Sequence, residues 1–335
     1  MIKFFDGGMG SMLNLAAGEL PEKLNISDPE RVFAVHDAYA KAGAQFITAN
    51  TFGANSLKYD NVDELVKAGV ALAKKAGKKV ALDLGPTGKL LKPMGDLEFE
   101  KAVELFGEVV RAGKDGSDVA IIETMSDMYE LKAAVLAVKE NSDLPIITSM
   151  IFDESGRLLT GGDVKSAVAM LEGLRVDAIG FNCGLGPKQM IPLVKELREC
   201  TSLPIIVMPN AGLPESVDGK TVYNVSPDEF ANDMKEIAEL GVSILGGCCG
   251  TTPAHIKRMI ELCKDIEDNI PEKKNDTVVC SYSTSVTIGQ KPVVIGERIN
   301  PTGKKLFKEA LRNNNIDYII KEGIAQQEKG AHILD

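Results

Sequence analysis

The chain has no tryptophan, only three histidines, and few aromatic residues of any kind, 5% in all. Platforms on which nucleic-acid bases stack need aromatic faces, so this class of binder is poorly served. Basic charge is short as well. Lys and Arg total 38 against 48 Asp and Glu, a formal net charge of −10. An acidic chain without a long basic run argues against nucleic acid and against an anionic membrane surface as partners. No apolar run approaches the ~18 residues that a membrane span needs. The first residues, Met1-Ile2-Lys3-Phe4-Phe5-Asp6-Gly7-Gly8, enter a strand-like run directly and lack a signal-peptide layout. The expectation is a cytoplasmic protein with no membrane partner, whose six cysteines serve as thiols or metal ligands rather than as a disulfide framework. A G-x-G-x-x-G after the first strand is also missing, which counts against a doubly wound dinucleotide-binding sheet.

What is present is alternation. Short β-branched or apolar runs fall at Lys3–Asp6, Gln45–Thr51, Lys79–Leu84, Asp118–Thr124, Pro145–Phe152, Asp177–Cys183, Pro204–Asn210 and Val242–Cys248. Between them lie stretches with apolar residues at three- and four-residue steps, such as Arg31–Ala42, Phe99–Lys114, Met128–Glu140, Asp163–Leu174, Gln189–Cys200, Asp228–Leu240 and Ala254–Asp265. Ser27-Asp28-Pro29, Ser226-Pro227-Asp228 and Thr252-Pro253 have helix-start chemistry, and Gly43, Gly116 and Gly241 stand where helices should stop. Eight such β/α units predict a (β/α)8 TIM barrel over residues 1–267. Residues 268–291 read as a linker, charged around Pro271 and then alternating like an exposed hairpin over Thr277–Ile288. A new β/α unit opens at Pro292–Ile299, so residues 292–335 read as the truncated start of a second β/α barrel.

Three cysteines stand at predicted C-terminal strand ends, the face of a barrel where active sites form. Cys183 ends the sixth strand in Gly180-Phe181-Asn182-Cys183-Gly184, and Cys248 and Cys249 end the eighth in Gly246-Gly247-Cys248-Cys249-Gly250. Three converging thiols make a soft donor set suited to Zn²⁺, with a fourth position open as in catalytic sites. Core packing and a redox pair are the competing readings, although adjacent cysteines close a disulfide poorly. Such an ion favours the deprotonated form of a coordinating thiol, which makes alkyl transfer to sulfur the natural chemistry. Cys200, Cys263 and Cys280 read as packing or incidental residues. His36 and His255 read as satisfied packing or surface histidines.

The segments Asp6-Gly7-Gly8-Met9-Gly10, Thr48–Ala54, Ile122-Glu123-Thr124, Asn182-Cys183, Pro209-Asn210-Ala211-Gly212 and Gly246–Pro253 run in order through the first 267 residues. Together they resemble the homocysteine S-methyltransferase family. The tail Val294–Gly303 resembles the opening of the pterin-binding barrel found in cobalamin-dependent relatives. The resemblance implies zinc held by Cys183, Cys248 and Cys249, with the sulfur of homocysteine in the open position and methionine as product. It implies substrate contacts from Asp6, Gly7, Gly8, Glu123 and Asn210, the two carboxylates gripping the ammonium. Non-functional roles for these residues are an Asx turn at Asp6, an ion pair at Glu123 and a loop cap at Asn210. Asn300 is placed at the pterin site. No Asp-x-His-x-x-Gly corrinoid motif occurs, so methylcobalamin is expected on a corrinoid-binding domain or protein outside this sequence, recharged from methyltetrahydrofolate. Betaine or S-methylmethionine as donor, or a non-catalytic zinc-binding docking module, are the alternatives.

Overall fold

In the computed structural model, which describes residues 1–15, 18–217 and 220–335, eight parallel strands follow one another around a single sheet. They are β1 (Lys3–Phe4), β2 (Phe46–Thr48), β3 (Lys79–Leu84), β4 (Val119–Met125), β5 (Ile146–Met150), β6 (Ala178–Asn182), β7 (Ile205–Met208) and β8 (Ile244–Leu245). Each lies where the sequence pattern puts it: β3 matches its expected run, β4 starts one residue later and ends one residue later, and the other six are trimmed by one to three residues at an end. The helices between them are α1 (Pro29–Ala42), α2 (Val62–Lys75), α3 (Phe99–Gly113), α4 (Met128–Asn141), α5 (Val164–Gly173), α6 (Pro187–Cys200), α7 (Pro227–Glu239) and α8 (Pro253–Cys263).

The hydrogen-bonded order is β1-β8-β7-β6-β5-β4-β3-β2. Seven neighbouring pairs are joined by parallel ladders, that of β4 and β5 with a register shift between Ile122 and Met125, whereas β1 and β2 meet differently. The Gln45 amide donates to the Phe4 carbonyl at 2.8 Å. Beyond it, the Thr48 amide and hydroxyl both donate to the Asp6 carboxylate, at 2.9 and 2.7 Å.

Inward-facing residues fill the barrel: Phe5, Ala81, Val119, Ile121, Ile147, Ala178, Ile206, Met208 and Ile244 form one buried cluster, with the Phe46 ring stacked on Phe5 at 4.7 Å. Full burial of each large aliphatic among them contributes about 1.5–3 kcal/mol. Gly180 is required where β6 meets β7, because a Cβ there would lie 1.7 Å from the Ile206 carbonyl oxygen. The helices start on side-chain caps. Asp28, Asp127 and Asp163 accept backbone N–H groups at α1, α4 and α5, and Ser226 with Glu229 forms a capping box at α7. At α8 the third residue of the box is His255, whose other ring nitrogen lies 3.0 Å from the Val225 carbonyl. His255 is therefore satisfied, as expected. His36 is not: it is 0% exposed on the inner face of α1, and neither ring nitrogen has a partner. Its position in a helical apolar stripe gives the burial, but among the described residues no donor or acceptor comes within reach.

Two features lie outside the simple repeat. A short antiparallel ribbon, Glu215–Val217 with Lys220–Val222, is inserted between β7 and α7. The stretch after α8 also runs back over the barrel, where Arg198 donates to the Asn269 carbonyl at 2.7 Å and the Lys274 amide to Ser202 Oγ at 2.9 Å. By internal contacts, this unit comprises Met1–Lys274.

The second unit, Asn275–Asp335, begins with a hairpin of β9 (Thr277–Cys280) and β10 (Ser285–Ile288). It continues through β11 (Ile295–Gly296), α9 (Lys305–Arg312), α10 (Ile316–Glu328) and β12 (Ile333–Leu334). β11 and β12 pair in parallel, Ile295 with Ile333 and Gly296 with Leu334.

Candidate active site

The three predicted cysteines converge. Cys183, Cys248 and Cys249 place their Sγ atoms within 4.8 Å of one another, and among the described residues they are the one group with metal-ligand geometry. Cys183 Sγ and Cys249 Sγ are 3.9 Å apart. Two sulfurs of a tetrahedral site with ~2.3 Å metal–sulfur bonds stand roughly 3.8 Å apart, so the spacing fits one shared ion.

The backbone behind the thiols explains the convergence. The end of β7 runs between the two cysteine loops and ties both. The Cys183 amide donates to the Met208 carbonyl at 3.2 Å, the Cys248 amide to Pro209 at 2.8 Å, and the Ala211 amide to the Cys249 carbonyl at 3.0 Å. The Asn210 amide donates to the Leu185 carbonyl at 3.0 Å. Cys183 and Gly184 turn through left-handed backbone, φ 56° and 67°; for a non-glycine residue that costs about 1–3 kcal/mol and persists where the surroundings enforce it. The eighth loop is pinned to the first. Tyr39 on α1 donates to the Thr251 and Gly8 carbonyls, and Thr251 Oγ1 donates to the Cys248 carbonyl at 2.6 Å while accepting from the Gly8 amide at 3.1 Å. A side chain at Gly8 would meet the Cys248 carbonyl at 2.7 Å. The Gly8 amide is thus committed within the protein.

The thiols open into a cavity of about 240 Å³ at the C-terminal mouth, lined also by Asp6, Gly7, Gly8, Met9, Glu22, Thr48, Phe52, Asp83, Glu123 and Thr124. Asp6 and Glu123, both expected here, are present. The Asp6 carboxylate is held across the barrel by Thr48, and among the described residues no ion pair reaches Glu123. Asn210 does not line the cavity. It is buried, and its Oδ1 has no partner among the described residues. Asn300, in the second unit, accepts the Thr302 amide at 2.9 Å as a turn cap.

Sequence reasoning missed three residues of the mouth. Asp83 ends β3. Glu22, only 2% exposed, comes from the turn after the first strand and is held by the Gly53 amide, the Tyr59 hydroxyl and Lys58. Asn182 bridges β4, β5 and β6. Its Oδ1 accepts from the Thr124 amide and Ser149 hydroxyl, both at 2.8 Å, and its amide donates to Thr124 Oγ1 at 2.7 Å and reaches Cys248 Sγ at 3.9 Å. A polar residue on the inward face of an otherwise apolar strand was the available signal for Asp83 and Asn182.

The mouth holds an excess of acid. Burial pushes Asp6 up to about 7, partly offset by the Thr48 hydrogen bonds. Burial, then the Cys183 and Asp6 charges, push Glu123 up to about 8. Asp83 is raised well above the carboxylate range by burial, then by Glu123, Asp6 and Glu22. Among the thiols, Cys249 is held down to about 3 by hydrogen bonds from Cys183 and Cys248, while Cys248 is pushed well up by those to Cys183 and Cys249. Three thiolates packed this closely repel one another, so a cation among them favours their deprotonated forms. The donor set and its spacing therefore fit a thiophilic divalent ion.

Comparison with known proteins agrees with this geometry. A family model described as homocysteine S-methyltransferase matches residues 3–263. Methionine synthases of Mycobacterium leprae and Mycobacterium tuberculosis are each 32% identical over 98% of the chain, which spans 30% of their length. Among solved structures, the metallated form of the homocysteine methyltransferase MmuM from Escherichia coli superposes with a TM-score of 0.65 at 23% identity, covering 77% of this chain and 95% of that one; at this identity the likeness is one of fold. With the family match covering the whole barrel and every motif on its mouth, the chain belongs to the homocysteine S-methyltransferase family.

Proposed function

We propose that this chain transfers a methyl group to the thiol of homocysteine, giving methionine, with Cys183, Cys248 and Cys249 as the ligands of a zinc ion. The convergence of three thiols beside an acidic cavity carries the reading. When bound, the ion supplies a positive charge that favours the thiolate form of a substrate sulfur and leaves one position open to it. The chain's own residues do the rest. Asp6 and Glu123 take the substrate ammonium, Gly7 and Gly8 border the amino-acid end, and Asn182 holds the Cys248 side of the site against β4 and β5. The buried Asn210 Oδ1 has an unused acceptor beside the cysteine loops.

The donor in this reading is methylcobalamin, presented by a corrinoid-binding domain or protein. In the complete protein it is recharged from methyltetrahydrofolate by a pterin-binding domain of which residues 292–335 are the start and Asn300 a ligand. Similarity to long methionine synthases supports this. A second reading keeps the thiol acceptor but uses another donor such as S-methylmethionine or betaine; the barrel alone matches nearly the whole of a solved homocysteine methyltransferase, in which no second barrel is needed to account for the fold.

The test is methionine formation by this chain from homocysteine and each donor in turn. Free methylcobalamin is expected to serve, slowly, because docking that positions donor against acceptor is missing; methyltetrahydrofolate is expected not to serve. Turnover with S-methylmethionine or betaine alone moves the assignment to the second reading. Inertness toward every donor despite bound zinc overturns both.

A further inference from the structure

Inward positions along β3 and β4 step from core to mouth. Ala81 on β3 and Val119 and Ile121 on β4 belong to the barrel core. Two residues further along, the same face carries Asp83 on β3 and Glu123 on β4. Register pairs Asp83 with Ile121, so the two carboxyl groups are diagonal neighbours on one face, within reach of a group between them. Asp83 is 5% exposed, lines the cavity, and keeps its Oδ1 buried without a hydrogen-bond donor among the described residues. Its backbone is fixed, with Thr51 Oγ1 donating to its carbonyl at 2.8 Å and accepting from its amide at 3.2 Å.

A buried carboxyl oxygen without a partner costs stability unless something arrives to satisfy it. Nothing among the described residues does. The cavity lining contains four acids, Asp6, Glu22, Asp83 and Glu123, and no lysine, arginine or histidine. Glu22 already has Lys58, Tyr59 and the Gly53 amide, and both oxygens of Asp6 are engaged by Thr48. That leaves Asp83 and Glu123 uncommitted, and of the two it is Asp83 whose Oδ1 is a fully buried acceptor without a partner among the described residues. A primary ammonium has three N–H donors directed apart, and it needs three acceptors when buried. Asp6 and Glu123 provide two.

We infer that Asp83 is the third acceptor for the substrate's ammonium group and a determinant of selectivity for amine-bearing thiols. This assignment rests on the proposed function and extends it to a residue that neither the motifs nor the comparisons single out. Burial and the neighbouring negative charges raise the proton affinity of Asp83 and Glu123, which accords with a pocket suited to a cation.

The experiment is calorimetric binding to the zinc-loaded protein of two thiols, homocysteine and 4-mercaptobutyrate, which lacks the amine. Wild type is compared with Asp83→Asn, an isosteric change, and circular dichroism and zinc content report folding and metal retention. The expected result is a roughly 10- to 100-fold loss of homocysteine affinity in Asp83→Asn, the size of one buried charge-assisted hydrogen bond, with mercaptobutyrate affinity unchanged or improved. Equal loss for both thiols, or no loss for either, overturns the role of Asp83. If a folded, zinc-loaded wild type binds neither thiol, the reading of the whole site fails instead. Should Asp83→Asn not fold, Asp83→Ser, which keeps a short acceptor, replaces it with the same criteria.

Discussion

Acid should weaken the first unit through a single histidine. His36 is fully buried on α1 with both ring nitrogens unpartnered. Burial pushes its pKa down from 6.5 to about 4. Above pH 6.5 the ring is neutral in both folded and unfolded chains and contributes no pH dependence. Between 6.5 and 4 the unfolded chain binds a proton that the folded chain refuses. The unfolded state is then favoured, and stability falls as pH drops through that window. Each pH unit costs about 1.4 kcal/mol, so the full window costs about 3 kcal/mol, and pH 5 alone about 2 kcal/mol. Against a typical domain stability of ~5–15 kcal/mol that is readily measured. The assay is urea unfolding at pH 7.5 and pH 5 of wild type and His36→Leu, both metal-free in chelator so that ion loss does not enter. Other titrating groups are common to the two proteins and cancel. The variant should lose about 2 kcal/mol less than wild type between the two pH values. Equal losses would refute the reasoning, because His36 would then have a solvating partner that the fold does not show.

Replacing Cys248→Ala should abolish tight zinc binding while circular dichroism stays that of a folded barrel; full zinc retention in Cys183→Ala, Cys248→Ala and Cys249→Ala alike would remove the metal assignment. Gly180→Ala drives a methyl into the Ile206 carbonyl and should cost at least about 3 kcal/mol, so an unchanged melting temperature would contradict the β6–β7 spacing. Ser226→Ala removes a capping box at α7 and should cost about 1 kcal/mol by chemical unfolding.

The barrel was legible because each strand is a short apolar run and each helix an apolar stripe, and those periods are set by local geometry. The thiols were legible because strand ends share one face. The acidic mouth was legible only in part. Asp6 and Glu123 sit in recognisable motifs, but Asp83 is one acid in a strand, and its importance comes from register against β4. Glu22 was invisible because its burial depends on Gly53, Lys58 and Tyr59, more than thirty residues away. His36 shows the opposite failure. Its place on the buried stripe was clear, but sequence does not reveal whether a partner comes near.

The joint between β1 and β2 gives the barrel an internal reporter. Seven seams of this cylinder are glued along their length, and the eighth is fastened by a clasp whose hook is the Asp6 carboxylate. The hook also lines the cavity. A guest that draws Asp6 away from Thr48 unfastens the cylinder locally, and one that leaves it in place does not. Exchange of the Thr48 amide proton with solvent deuterium therefore registers, at one position, how the mouth is filled.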